Sequence, residues 1–372
     1  MSAQAPDAAA PDGEARREVA LRPGYHSPQV EVDVRLNTNE SPEPPPRAFL
    51  DALSAEVSTI GFHRYPDREA MALRTALAAH HGVETAQVFC ANGSNEVIQC
   101  LLLAYGGQGR PAVVFEPTYA LHSHIARLTA TPVIEGRRDD AFKVDLEEVA
   151  RTAAVAAERH GPSGAAVTFL CSPNNPTGGA EPPETVRAVP GLVPGLVVVD
   201  EAYGQFAPWS ALELIHGEPR LVVLRTFSKT WAMAGLRLGY AVADPGVIAS
   251  MANVALPYHL DALKQAAGRL ALGFEEEMRA RVAATVEERG RVATALGDLP
   301  VEVWPSDANF ILFRVASMDG SAVWKGLLDR SVLIRDVSDW PGLEGCLRVT
   351  IGTPLENDRF LAALREVLAL RR

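Results

Sequence analysis

Val222-Val223-Leu224-Arg225-Thr226-Phe227-Ser228-Lys229 reads as a buried strand ending in a polar turn that delivers a lysine amine, with Arg237 eight residues on. Upstream, Leu196-Val197-Val198-Val199-Asp200-Glu201-Ala202-Tyr203 is a second apolar strand, and it delivers a carboxylate and a phenol. Ser172-Pro173-Asn174-Asn175-Pro176-Thr177-Gly178 is a turn that delivers an amide. Similar apolar runs recur at residues 88–90, 112–115, 167–171 and 238–242, separated mostly by segments of helical periodicity. Continuous rather than alternating apolar runs are what parallel strands covered on both faces look like. The expectation is therefore an α/β fold with a mostly parallel sheet covered by helices. In open sheets of that kind ligands bind at the carboxyl ends of strands, so Asp200, Ser228 and Lys229 should gather at one rim.

The 372 residues suffice for about two domains, and 47% hydrophobic with 22% charged residues fits an ordinary soluble enzyme. A formal net charge of -11 argues against nucleic acid and anionic membranes as partners, because both recruit basic surfaces. Four cysteines, Cys90, Cys100, Cys171 and Cys346, show neither zinc-ligand nor disulfide spacing, so no metal site is expected and a reducing cytoplasm is the simplest location. The first residues lack the basic start and apolar core of a signal peptide, and no later apolar run approaches the ~18 residues of a membrane span. Residues 1–24, rich in Ala, Pro and acidic side chains, are expected to be a flexible tail. Past about residue 272 the pattern changes to a charged helix, short strands near 301–304, 309–313, 332–334 and 347–351, and a closing helix over 356–370. With Pro42, Pro44, Pro45 and Pro46 marking a linker, the expected division is a large domain at 47–272 and a smaller α+β domain built from 25–46 and 273–372. No internal repeat is evident.

Amide, carboxylate, phenol and lysine at strand ends, in this chain order, suit pyridoxal 5′-phosphate. That cofactor needs an amine to hold it as an imine, a carboxylate on the pyridine nitrogen, donors to the ring oxygen, and a phosphate cradle. Asp200 is the carboxylate candidate, Asn175 and Tyr203 the ring-oxygen donors, and Tyr119, in Glu116-Pro117-Thr118-Tyr119, an aromatic face to lie on the ring. Ala91-Asn92-Gly93-Ser94-Asn95-Glu96 opens a helix whose free N–H groups and positive end suit a phosphate. Ser94, Asn95, Thr226, Ser228 and Arg237 complete the cofactor set. Taken singly, a strand-end Asp is usually a helix cap and an Asn-Pro turn only a turn. Only their order and spacing together point to one cofactor.

At these residues the chain resembles the fold type I, aspartate-aminotransferase-like pyridoxal phosphate enzymes, and within them the histidinol-phosphate aminotransferases. The resemblance runs from Leu36-Asn37-Thr38-Asn39-Glu40 through Arg64-Tyr65-Pro66-Asp67 and the 171–178 turn to Leu347-Arg348-Val349-Thr350-Ile351-Gly352-Thr353. It implies that Lys229 is the Schiff-base lysine and general acid/base, with Asp200 and Tyr203 as its catalytic companions. It further implies that Arg348 clamps a substrate carboxylate, and that Tyr65 reaches the cofactor phosphate of a neighbouring subunit in a homodimer with shared active sites. Tyr25, Asn39, Tyr258 and Arg335 match positions that bind substrate, with Tyr25, Tyr258 and Arg335 lining the pocket for an imidazole and a phosphate. Asn95 stands where many members carry aspartate. Asp261 stands where a small hydroxyl residue is expected, and a carboxylate facing the pocket would oppose an anionic substrate.

The activity so implied is transamination of L-histidinol phosphate with 2-oxoglutarate, giving imidazole acetol phosphate and L-glutamate, in L-histidine biosynthesis. Two alternatives share the fold: an aromatic amino acid aminotransferase acting on phenylalanine or tyrosine, and a phosphothreonine-type decarboxylase. A cofactor-sensing module of a transcription regulator would need a basic helix-turn-helix, which the acidic N-terminus does not offer. A dinucleotide or nucleotide enzyme is poorly supported, since neither GxGxxG nor GxxxxGK[ST] occurs.

Overall fold

The computed structural model of the protein describes residues 28–369. Its larger sheet contains β2 (Val88–Ala91), β3 (Ala112–Glu116), β4 (Val133–Arg137), β5 (Val167–Cys171), β6 (Leu196–Asp200), β7 (Leu221–Thr226) and β8 (Gly239–Val242), in the spatial order β2-β8-β7-β6-β5-β3-β4. Strands β4, β3, β5, β6 and β7 run parallel. Strand β8 is antiparallel to both β7 and β2.

The apolar runs are covered on both faces. In β6, Val197 and Val199 enter one buried cluster while Leu196 and Val198 enter another. In β7, Leu221 and Val223 share the first cluster, and Val222 and Leu224 the second. Each fully buried aliphatic side chain of this kind stabilises the fold by roughly 1.5–3 kcal/mol, before the entropy of ordering it is set against it.

A smaller, antiparallel sheet has the order β12-β13-β10-β9, from β9 (Glu302–Val303), β10 (Phe310–Arg314), β12 (Arg335–Asp336) and β13 (Cys346–Thr350). Beside it, β1 (Val34–Arg35) pairs in parallel with β11 (Val332–Leu333). The helices Glu275–Gly297, Gly320–Leu328 and Pro354–Ala369 supply Val292, Leu296, Val323, Phe360 and Leu364 to a core shared with Ile311, Phe313 and Val349. Glu275, Glu276 and Glu277 occupy the first turn of the long helix, where negative charge complements the helix dipole. No helix among the described residues is long and apolar enough to cross a membrane.

Parallel neighbours β3 and β5 lead their chains to opposite sides: β4 lies beyond β3, and β6 and β7 lie beyond β5. Such a switch leaves a crevice at the carboxyl ends of the strands. The turns after β3, β5, β6 and β7 all open into it.

Candidate active site

A cleft of about 260 Å³ lies at those strand ends. Its walls include Asn39, Ser94, Asn95, Tyr119, Asn175, Asp200, Tyr203, Thr226, Ser228, Lys229, Arg237 and Arg348, so most of the residues singled out in the sequence come together. Thr38, Leu121, Cys171 and Ala202 complete the lining.

Lys229 follows β7 and donates from Nζ to the carbonyl of Thr38 at 3.0 Å, lying 5.6 Å over the ring of Tyr203. Burial, reinforced by the cations of Arg348 and Arg237 and partly opposed by Glu40, lowers its amine to about 7. Asp200 ends β6 and is buried. Its Oδ2 meets Nε2 of His122 at 2.9 Å, and its Oδ1 accepts from the backbone N–H of Ala202 at 3.0 Å. His122, in the helix Leu121–Leu128, is fully buried and stacks on Phe169 with centroids 4.6 Å apart. The next residue, Glu201, points to the other side of the sheet, where it pairs with Arg225 at 2.6 Å and accepts from Ser210 and Ala211. Cys171 is a protonated thiol, since burial and then the charge of Asp200 push it up to about 12.

The amide turn is tied in place. Asn174 donates to the carbonyl of Pro117 and to Thr177 and accepts from Thr118. Asn175 accepts from Arg348 Nη1 at 2.5 Å, and Arg348 Nη2 donates to the carbonyl of Asn37 at 2.8 Å. Tyr119 donates from its hydroxyl to Asn95 Oδ1 at 3.1 Å. Asn39 donates from Nδ2 to the Tyr203 hydroxyl at 2.9 Å.

The far end of the cleft is shaped for an anion. No side chain caps the helix Gly93–Tyr105, because the Glu96 carboxylate instead accepts from the backbone and side chain of Asn92. The backbone there is packed to the limit: a Cβ on Gly239 would lie 2.3 Å from the nitrogen of Ser94, and one on Gly93 2.8 Å from Nη2 of Arg237. Arg237 donates to Ser228 Oγ at 3.2 Å, and Thr226 Oγ1 accepts from the Ser228 backbone at 3.1 Å. Uncapped N–H groups, two hydroxyls and a guanidinium fit a phosphate dianion. A buried carboxylate beside a lysine held near neutrality fits the ring and aldehyde of pyridoxal phosphate.

Three predicted positions lie elsewhere. Tyr65 and Tyr258 stack on each other at 4.5 Å and are 79% and 41% exposed, outside the cleft. Arg335 pairs across the sheet with Arg348, but its side chain lines a neighbouring depression with Trp324, Ser338 and Asp339. Tyr25 lies outside the described residues. Asp261 turns away: it caps the helix Ala262–Ala271 and accepts from Lys264 Nζ at 2.5 Å. Burial raises its carboxyl, but the bonds and charge of Lys264 outweigh this and hold it below the usual range. That carboxylate does not face the cleft. The site residues absent from the sequence-based set are His122 and Thr38. Thr38 sits inside the Leu36–Glu40 motif but acts through a carbonyl, whereas nothing in Leu121-His122-Ser123-His124 distinguishes His122 from an ordinary helix residue.

Comparison with known proteins agrees with this geometry. The family model for aminotransferase class I and II matches residues 31–364. A histidinol-phosphate aminotransferase of Frankia casuarinae is 48% identical, covering 92% of this chain and 87% of that one. One from Corynebacterium diphtheriae is 44% identical, covering 95% and 96%. Among solved structures, histidinol-phosphate aminotransferase from Sinorhizobium meliloti in complex with pyridoxal-5′-phosphate superposes with a TM-score of 0.82 at 26% identity, covering 92% of each chain. The lysine and carboxylate at neighbouring strand ends, the anion cradle and the match over almost the whole chain place this protein in the class I and II aminotransferase family of pyridoxal phosphate enzymes.

Proposed function

We propose that this chain moves an amino group reversibly between L-histidinol phosphate and 2-oxoglutarate in L-histidine biosynthesis, as a cytoplasmic homodimer with shared active sites. The observation that carries the choice of substrate is the near full-length similarity, at 44% and 48% identity, to histidinol-phosphate aminotransferases. In this reading residues 47–272 form the cofactor-binding domain, and 25–46 with 273–372 the smaller domain that carries Arg335 and Arg348.

Pyridoxal phosphate, when bound, supplies an aldehyde to take the amine and a ring to accept the electron pair left when the α-carbon loses a proton. The side chains then divide the work. Ser94, Asn95, Thr226, Ser228 and Arg237 hold the phosphate end, and Tyr119 lies against the ring. Asp200, oriented by His122 and the Ala202 N–H, keeps a negative charge at the pyridine nitrogen. Asn175 and Tyr203 bind the ring oxygen. Lys229 Nζ, with its amine lowered to about 7, takes the proton from the α-carbon at neutral pH. Arg348 receives the α-carboxylate of glutamate, which histidinol phosphate lacks. Recognition of the phosphorylated substrate would therefore fall to Asn39 and, by the resemblance, to Tyr25, Arg335 and Tyr258, of which Arg335 and Tyr258 stand beside rather than within the cleft of the single chain. Tyr65 would serve the cofactor phosphate of the partner subunit, since in its own chain it stands on the surface.

Single-turnover spectra with L-histidinol phosphate and with L-phenylalanine test the proposal. Fast change of the cofactor band with histidinol phosphate alone is expected, and Arg335→Leu should slow that substrate far more than phenylalanine. An equal or faster response of the unmodified enzyme to phenylalanine would overturn it in favour of an aromatic aminotransferase.

A further inference from the structure

Strands β3 and β5 are neighbours, yet their register is confined to Ala112 with Val167 and Val113 with Thr168. On its other side β5 stays in register with β6 from Val167 to Cys171, and β3 stays in register with β4 from Ala112 to Glu116. The ladder between β3 and β5 therefore ends in mid-strand, and toward the cleft the two chains part. The turns that follow carry Tyr119 and Asn175, which the cofactor reading sets on the face and on the oxygen of one ring. Beyond the end of the ladder, the gap between these turns is held by side chains.

Arg138 makes the deeper crossing. Its guanidinium donates from Nε to the Phe115 carbonyl of β3 at 3.2 Å and, more loosely, from Nη2 to the Cys171 carbonyl of β5 at 3.4 Å. Its Nη1 pairs with Glu181, a carboxylate buried with it. Asn174 makes the second crossing, turn to turn beyond the strand ends. It is fully buried, and its backbone closes its own turn, donating to the Gly179 carbonyl at 2.9 Å and accepting from the Gly178 N–H at 2.7 Å. Its side chain reaches back to the turn after β3. Nδ2 lies 3.0 Å from the carbonyl of Pro117 and 2.7 Å from Thr177 Oγ1, and Oδ1 lies 2.9 Å from Thr118 Oγ1. Pro117 fixes the sense of the amide: its carbonyl has no hydrogen to give, so the group facing it is the NH₂. Oδ1 is left to accept from the Thr118 hydroxyl. One amide thus grips Pro117 and Thr118, the residues immediately before Tyr119.

We propose that Asn174 is a positioning residue: by bridging the β3 and β5 turns where the ladder has ended, it sets the spacing between the Tyr119 ring and the Asn175 amide, and so the seat of the cofactor ring held by both. Asn175 touches the ring in that reading, and Asn174 places the groups that touch it. The inference rests on the pyridoxal phosphate reading and is independent of which amine is the substrate.

The test uses the cofactor-loaded enzyme without substrate. It reads the dissociation constant of the cofactor and the visible circular dichroism per bound cofactor, which reports the asymmetry of the ring's surroundings. Asn174→Asp keeps the shape and the bond from Thr118 but turns an oxygen toward the Pro117 carbonyl. Its cofactor dissociation constant should rise about tenfold or more, because a buried acceptor loses its donor, and its dichroism per bound cofactor should fall. Burial favours the protonated form of a carboxyl, and a protonated aspartate can donate to Pro117 again. Relative to the unmodified enzyme, both quantities should therefore recover as pH is lowered from about 8 to about 5. Asn174→Leu, with nothing to protonate, should show the loss without the recovery. Thr118→Val, which removes only the bond to Oδ1, should move both quantities in the same direction by less. Unchanged values in Asn174→Asp, or a loss that acid leaves in place, would overturn the proposal. Weakened affinity with unchanged dichroism would also overturn it, reducing Asn174 to a support of the fold. Should Asn174→Asp fold poorly, Thr118→Val decides: unchanged dichroism there overturns the proposal. Absence of the visible band from the unmodified, cofactor-loaded protein would instead refute the cofactor assignment.

Discussion

Lys229 has an amine lowered to about 7 against an ordinary 10.5, chiefly by burial and then by Arg348. Between those values the unfolded chain binds one proton more than the folded apoprotein at this position, so this group makes stability rise with pH across that window and flattens below about 7. Lys229→Met should abolish turnover and remove this slope. Unfolding free energies of apoprotein and variant, measured by urea titration from about pH 6 to 10, should converge or part only within the window. A difference constant over that range would contradict a lysine buried in its neutral form. His122→Phe keeps the stack on Phe169 but takes the hydrogen-bond partner from buried Asp200. Cofactor affinity should fall about tenfold or more, and unchanged affinity by equilibrium dialysis would show that Ala202 alone suffices to orient the carboxylate. The contrast between the two residues explains what was legible. A lysine, a carboxylate and an amide at the ends of apolar runs announce themselves by residue type and place. His122 matters only because folding brings the helix after β3 over the end of β6, and no local pattern encodes that neighbour.

Among elements, β6 and β7 were readable because four successive apolar residues leave no polar face. The same runs do not report the direction of an individual strand. Continuous burial at β2 and β8 reports that both faces are covered, and it is silent on strand polarity, so β8 runs antiparallel within an otherwise mostly parallel sheet. Strand β4, Val133-Ile134-Glu135-Gly136-Arg137, escaped notice because it lies at the sheet edge with alternating exposure and a charged sequence. Two-residue pairings such as β1 with β11 are too short to carry any period. The β8 edge of the anion cradle yields a sharp expectation. Gly239→Ala would set a methyl group 2.3 Å from the Ser94 nitrogen and should cost about 1–3 kcal/mol of stability together with cofactor affinity. Gly235→Ala, with nothing within 4 Å of the added carbon, is the matched control. Equal effects in denaturant titrations of the two would mean that the cradle tolerates expansion.

At the scale of the whole molecule, Phe62, Tyr65, Leu256 and Tyr258 are large, exposed side chains, and the Tyr65–Tyr258 stack joins the two segments that bear them. A surface of this kind calls for cover. The homodimer proposed above would supply it, and sedimentation should then give twice the mass of one chain. Phe62→Asp with Leu256→Asp should shift the protein to monomer and loosen the cofactor, because Tyr65 would no longer reach a second cleft. Retained dimer with full cofactor affinity would remove these segments from the interface.

Asn39 meets Thr350 across 311 positions of chain, and β1 pairs with a strand nearly as distant. A ribosome releases the amino-terminal end first, at a few to some twenty residues per second. Segment 37–39 is therefore made well before Arg348 and Thr350, and its bonds to these two wait until both have emerged. The large sheet can assemble around Lys229 during synthesis, but a finished cofactor pocket must wait for Arg348 and Thr350.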